Sequence, residues 1–189
     1  MDRIAESSDL SALHPRELRG LCRSGAFRGP TAGLASGYVQ ANLVVLPEAV
    51  AGDFKRFCEL NTGPCPLLEV TDPGSCEPRC ARGADLRTDL PRYRVYRRGD
   101  LIDQPTDILS YWPGRMENSY PSVPHHHINL VAFLLGCSFT FESALLRAGI
   151  PVRHIEQKCN VPMYRTNIQC KPGGIFSGPM VVSMRPMTL

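Results

Sequence analysis

Val39-Gln40-Ala41-Asn42-Leu43-Val44-Val45-Leu46-Pro47 is the stretch on which the fold turns. Its second half, Leu43 to Leu46, is an unbroken apolar run, the pattern of a strand covered on both faces. Pro47 then opens a helix, because proline gives up no intrahelical hydrogen bond in a first turn. Val50, Phe54, Phe57 and Cys58 follow at helical spacing and mark that helix's buried stripe. Asn61 and Gly63 stop it, and Leu67 to Val70 reads as a second short strand. Strand, helix and strand in succession point to an α/β fold with a mixed sheet.

Toward the N-terminus, Gly29 to Gly37 is a glycine-punctuated loop. Before it, Pro15 suits the first turn of a helix whose Leu18, Leu21 and Cys22 share a face, with Gly25 as its end. Residues 1–14 read as a disordered N-terminus, and 15–189 as the domain. Toward the C-terminus, Thr71 to Thr88 is rich in Pro, Gly and Cys and reads as loop. Tyr93, Val95 and Leu101 flank Arg98-Gly99-Asp100, the pattern of a hairpin and its turn. Thr106 to Gly114 predicts one helical turn. Residues 115–129, proline-spaced and carrying His125, His126 and His127, read as an atypical insertion. The run Ile128 to Leu135 fits helix or strand by pattern. Helix is the expectation, since Val131, Leu134 and Leu135 share a helical face. Thr140 is the expected N-cap of a helix ending at Gly149. Val161 to Ile168 and Met180 to Met184 are the last expected strands, separated by a loop with Gly173, Gly174 and Gly178.

The 189 residues suit one domain, alone or with a small subdomain, and 43% hydrophobic content is enough for a core. A net charge of +3, with arginines scattered among acids, is not the footprint of a nucleic-acid binder. No window is long and apolar enough to cross a bilayer, so no membrane partner is expected. Met1 to Leu10 has acidic residues and no apolar core, unlike a secretory signal. The 8 cysteines therefore lack the secreted context of a disulfide framework. Cys22, Cys58 and Cys137 read as buried free thiols. Cys76 and Cys80 with the three histidines invite a zinc reading, but they lack zinc-finger spacing. No metal and no organic cofactor is expected.

GPTAGLASGYVQANLVVLP at 29–47, RFCELNTGPCPLL at 56–68, LVAFLLGCSFTFESALLRAGIPVRHIE at 130–156, and NVPMYRTNI with SGPMVVSMRP at 160–186 are long and unusual motifs. Together they resemble a family of bacterial proteins described as hydro-lyases, which includes the D-glutamate cyclase of animal mitochondria. The resemblance covers most of residues 15–187. It implies an α/β fold of two intertwined subdomains and a lyase acting on a small acidic substrate. For the cyclase, this is dehydrative ring closure of D-glutamate to 5-oxo-D-proline. It also implies the mitochondrial matrix, with the cytoplasm as the alternative. Family chains continue beyond the Met184-Arg185-Pro186 motif, so the expectation is a C-terminally truncated, N-terminal portion of that fold. A catalytically silent form or interaction module is the alternative, and a homo-oligomer stays open.

Dehydrative cyclisation must hold carboxylates, free an amine and help an oxygen leave as water. Arginine forks suit the first task; a base and an acid serve the others. Arg165 and Asn167 alternate on a strand and would face one way, with Tyr164 opposite. A surface arginine is the alternative reading. Arg185 stands at a strand end, where open sheets place site residues and also solvated charges. Cys137 and Ser138 precede a helix start, as an anion-binding turn or as packing residues. Glu142 is a catalytic base or a residue satisfied by the helix dipole. Thr31, in the glycine loop, and Gln40 and Asn42, on one face of the first strand, complete the candidate substrate contacts. Arg153, His154 and Glu156 read as a charged turn in which His154 could shuttle protons. Cys137, Glu142 and Tyr164 are thus the catalytic candidates; Thr31, Gln40, Asn42, Ser138, Arg165, Asn167 and Arg185 are the substrate-binding ones.

Overall fold

A computed structural model describes residues 10–112 and 129–187. The insertion expected at 115–129 lies outside them, apart from Asn129, as do residues 1–9. Two compact units form, each from two stretches of chain: 1–36 with 69–132, and 37–68 with 133–189. The chain therefore alternates between them, as two intertwined subdomains require, and the fold is mixed α/β.

In the first unit, α1 (Pro15–Ser24) is capped at both ends. The His14 ring accepts from the Arg16 N–H, and the Glu17 carboxylate accepts from the His14 N–H. Gly25 closes the helix at φ 78°, where glycine pays no Cβ penalty. Leu18 packs with Leu10, Leu34 and Ala35, so Leu10 belongs to the core. The polar centre of this unit is Asp89, whose side chain is 1% exposed. Arg23 donates to both of its oxygens at 2.7 Å. The Asp85 N–H (2.9 Å) and the Thr88 hydroxyl (3.0 Å) donate as well. The neighbouring Arg87–Asp85 pair is bidentate. β3 (Val95–Arg97) and β4 (Asp100–Asp103) form the expected antiparallel hairpin. Trp112 N–H bonds back to Ile108 in the single helical turn foreseen there.

The second unit holds β1 (Ala41–Pro47) and α2 (Glu48–Leu60), which starts immediately after Pro47 as expected. Phe54 meets Phe133 edge-on at 4.9 Å and Phe176 at 5.0 Å. The loop carrying Gly173, Gly174 and Gly178 lies tight against α2. A Cβ on Gly173 would come within 2.5 Å of the Phe57 backbone. Asn61 ties the helix end to the loop, donating to Phe57 and Lys171 carbonyls and accepting from the Lys171 N–H, all at 2.8 Å. α3 (Glu142–Arg147), α4 (Arg153–Glu156), and the antiparallel pair β6 (Met163–Gln169) and β7 (Pro179–Ser183) complete it.

β2 (Leu67–Val70) and β5 (Leu130–Gly136) share a three-stranded sheet with β1, in the order β1-β5-β2. Bonds from Gly136 to Pro66, Thr71 to Ala132 and Gly74 to Leu130 run in opposite senses, so β2 and β5 are antiparallel. β5 corrects the helix expected at 128–135. It is the central strand, with Val131 to Leu134 all buried. A strand covered on both faces loses its two-residue alternation, and the helical face was a coincidence of composition.

A second correction concerns Thr140. Residues Ser138–Phe141 form a 3-10 turn, and the α-helix starts only at Glu142. Thr140 accepts from the Gln40 N–H at 3.0 Å instead of capping. All eight cysteines are free; Cys22, Cys58 and Cys170 are buried, while Cys137 is only half-buried.

Candidate functional site

The second unit brings three stretches of chain onto one carboxylate. The first leaves β5 at Gly136. Cys137 donates its N–H to the Gln40 carbonyl at 3.0 Å, and with the Thr140 contact this pins the 3-10 turn. That anchored turn carries Ser138 and leads into Glu142. The second stretch is the end of β7, where Ser183 and Arg185 alternate onto one side. The third is α4, which supplies His154.

Glu142, Arg185 and His154 are all buried, their side chains 4%, 6% and 7% exposed. Arg185 donates to Glu142 Oε1 from Nε at 2.7 Å and also from Nη2. Its Nη1 reaches the Ser183 hydroxyl at 2.8 Å, and Nη2 the Ser138 hydroxyl at 3.1 Å. The two hydroxyls bond each other at 3.1 Å. His154 Nε2 lies 3.3 Å from the same Glu142 Oε1. Phe141 and Phe139 cover the guanidinium, their ring centroids 4.8 and 5.7 Å from its central carbon. Rings over a desolvated guanidinium strengthen its hold.

Among the described residues, every hydrogen bond and ion pair of the Glu142 side chain falls on Oε1. Arg185, by contrast, has four of its five N–H donors engaged within the protein. The guanidinium is therefore the holder, and the carboxylate is the group with an oxygen to offer. A carboxylate fixed through one oxygen, beside an imidazole, can take a proton, return it, or accept a bond from an ammonium group.

The other candidates sit elsewhere. Thr31 belongs to the first unit, where it is exposed and its carbonyl accepts from the Leu34 N–H. Asn42 is exposed at the start of β1, and Gln40 bonds the 3-10 turn through its backbone. Tyr164, Arg165 and Asn167 are exposed on β6. A register shift between Arg165 and Gln169 interrupts the strict alternation that would set Arg165 and Asn167 side by side. Cys137 contributes its backbone to the turn. The six-residue α3 that follows the 3-10 turn begins too late to aim N–H groups past it.

Ser183 was not foreseen, although it stands two residues before Arg185 on an extended chain, a signal that was available. Its charged neighbours mark His154 as part of a solvated turn, whereas the structure buries it against Glu142. His125 to His127 lie outside the described residues. Among the described residues, no group of three or more His, Cys, Asp or Glu is placed to hold a metal ion, and no helix is long and apolar enough to cross a membrane.

Fold and site define a mixed α/β protein built around a buried arginine, carboxylate and imidazole. The comparisons give the family. A family model described as D-glutamate cyclase matches residues 131–189, which contain the whole cluster. A protein of Stutzerimonas stutzeri named "Putative hydro-lyase" is 58% identical over 176 residues, 93% of this chain and 61% of its own. One of Rubrobacter xylanophilus with that name is 60% identical over 171 residues, 90% of this chain and 61% of its own. A third, from Thermoanaerobacter, is 54% identical over 185 residues, 97% of this chain and 64% of its own. The chain belongs to this hydro-lyase and D-glutamate cyclase family. It spans about three fifths of the length of the curated relatives it matches.

Proposed function

We propose that the chain contributes the acid/base centre of a carbon–oxygen lyase acting on a small acidic substrate, with D-glutamate as the substrate and 5-oxo-D-proline and water as the products. In that reaction the amine nitrogen attacks the side-chain carboxyl carbon. A C–N bond forms, a C–O bond breaks, and one water leaves. The ammonium must lose one proton before attack and a second from the adduct, and the departing carboxylate oxygen must gain two to leave as water.

The observation that supports this reading is the one-sided grip on Glu142. Arg185 fixes Oε1, Ser138 and Ser183 fix Arg185, and Oε2, which has no hydrogen bond among the described residues, is left to exchange the proton with the substrate. His154 holds the carboxylate's geometry and can pass the proton onward. Arg165 and Asn167 are the proposed carboxylate contacts on β6, and Tyr164, next to Arg165 in the chain, is a further candidate donor. No organic cofactor is needed for such proton traffic.

The test is incubation with D-glutamate and mass spectrometry of 5-oxo-D-proline, with L-glutamate as control. Formation of the D product by the wild type and its loss in Glu142→Gln support the reading. Equal product from both proteins removes Glu142 from the chemistry. Absence of product, with turnover of another small hydroxy or amino acid, removes the substrate.

A further inference from the structure

The serine pair beside Arg185 has a hydrogen to spare. Arg185 uses Nε and Nη2 on Glu142 Oε1, and turns Nη1 and Nη2 onto the hydroxyls of Ser183 and Ser138. Both serines therefore accept from the guanidinium, and they share a bond with each other at 3.1 Å. A hydroxyl owns one hydrogen and two lone pairs. One of the two hydrogens lies between the serines. The serine that receives it has filled both lone pairs, and its own hydrogen has no acceptor among the described residues. That hydroxyl can only donate. A bond accepted from a cation polarises it and strengthens it in that role. Both serines are half-buried, so a ligand can reach them.

The strand register sets a second donor on the same side. Met163 of β6 pairs with Ser183 of β7, and Arg165 with Val181. Residues directly opposite share a face, as do residues two apart on one strand. Arg165 thus stands on the face of the β6–β7 ribbon that carries Ser183, diagonal to it and about 7–8 Å away between backbones. The register shift begins only beyond Arg165. Arg165 is exposed, with its fork available to a ligand. We propose that this face takes a short dicarboxylate, one carboxylate on the donor-only serine hydroxyl beside Glu142 and the other on Arg165. Five carbons in line set the two carboxyl carbons about 5 Å apart, a gap the long arginine side chain closes. The inference deepens the lyase reading and rests on it for the reacting group: in D-glutamate, the carboxyl at the serines is the one the amine attacks. The hydroxyl then donates to the oxygen on which charge collects.

Calorimetry with glutarate, which has no amine and cannot cyclise, reads this contact apart from turnover. The wild type should bind glutarate at least ~10-fold more tightly than butyrate, which lacks the second carboxylate. Ser138→Ala/Ser183→Ala should weaken glutarate binding ~10- to 100-fold, the range for a hydrogen bond to a charged group. Arg165→Ala should erase the preference for glutarate over butyrate. Ser183→Thr keeps a hydroxyl on a strand that suits a β-branched residue, and should keep the affinity. Circular dichroism and thermal unfolding check that each variant is folded. If the serines only brace Arg185, the double variant slows D-glutamate turnover yet binds glutarate like the wild type, and the proposal is overturned. It is overturned as well if the wild type binds no glutarate, or binds glutarate and butyrate alike. Serine-dependent glutarate binding without turnover of D-glutamate would keep the dicarboxylate site and remove the cyclisation.

Discussion

Each unit buries one carboxylate against arginine, and the two are held in opposite ways. Asp89 accepts on both oxygens, from Arg23, the Asp85 N–H and the Thr88 hydroxyl. Glu142 is gripped on Oε1 by Arg185 and approached by His154 at that same oxygen. A saturated carboxylate has no valence left for a ligand and serves the fold. A carboxylate held by one oxygen keeps its orientation and retains the means to react. Burial and charge are alike in the two, so it is the distribution of hydrogen bonds that distinguishes them, and the proposed chemistry rests on that difference.

The largest effect should come from removing the charge at the one-sided site. Glu142→Gln keeps the shape and an acceptor for Arg185, so the fold should persist. Turnover of D-glutamate should fall about 10²- to 10⁴-fold, the range for loss of a general acid/base. Asp89→Asn is the counterpart. It converts an acceptor-only group into one that presents donors to Arg23. The cost should be about 2 kcal/mol in urea unfolding, less than for a fully buried pair because Arg23 is half exposed. Turnover per folded molecule should not change. If Asp89→Asn lowers turnover as far as Glu142→Gln, the contrast fails.

pH sharpens the comparison from another side. Burial pushes the Cys58 thiol of the second unit from its ordinary 9.0 up to about 11. Burial, then the neighbouring Glu69 carboxylate, pushes the Cys80 thiol of the first unit to about 11 as well. A group raised in the folded state stabilises fully below its unfolded value, and that contribution is lost as pH rises through the folded one. Stability should therefore decline between pH 9 and 11 through both units, and Cys80→Ala should flatten part of that slope. The acid limb is different, since it draws on the first unit. Burial pushes Asp85 up, but the Arg87 bonds outweigh it and its pKa is lowered. Burial likewise opposes the Glu69 shift, and the Cys80 and Arg79 donors override it. Both contributions are present above the ordinary carboxylate values and disappear as pH falls through the lowered ones. Fluorescence of Trp112, in the first unit, should report loss of structure in acid, and Arg87→Ala should move that transition to higher pH.

What the sequence made legible follows from range. α1, the β1-to-α2 passage and the β3–β4 hairpin are dictated by neighbours in the chain: a proline at a helix start, a glycine at its end, Arg98-Gly99 at a turn. Three members of the Glu142 cluster, Ser138, Glu142 and Arg185, were singled out for local reasons: a turn, a helix start and a strand end. Their convergence was not legible, because 43 residues separate Glu142 from Arg185. The burial of His154 is hidden for the same reason, since its sequence neighbours are charged and only the tertiary structure covers it. β5 failed in the opposite way: its local pattern fits helix or strand alike, and the strands on both sides of it decide for strand.

Arg165 carries the smallest expected effect and tests how far sequence reasoning reached beyond the cluster. It is exposed on β6, opposite Val181, and a solvated arginine contributes little to stability. Arg165→Ala should therefore change unfolding free energy by no more than about 0.5 kcal/mol. If Arg165 also grips a substrate carboxylate, the same variant should raise KM for D-glutamate while kcat changes less, since binding is lost and the proton-transfer machinery at Glu142 is untouched. A variant with unaltered KM would leave Arg165 as a surface charge and confine the proposed chemistry of this chain to Glu142, His154 and the serine-held Arg185.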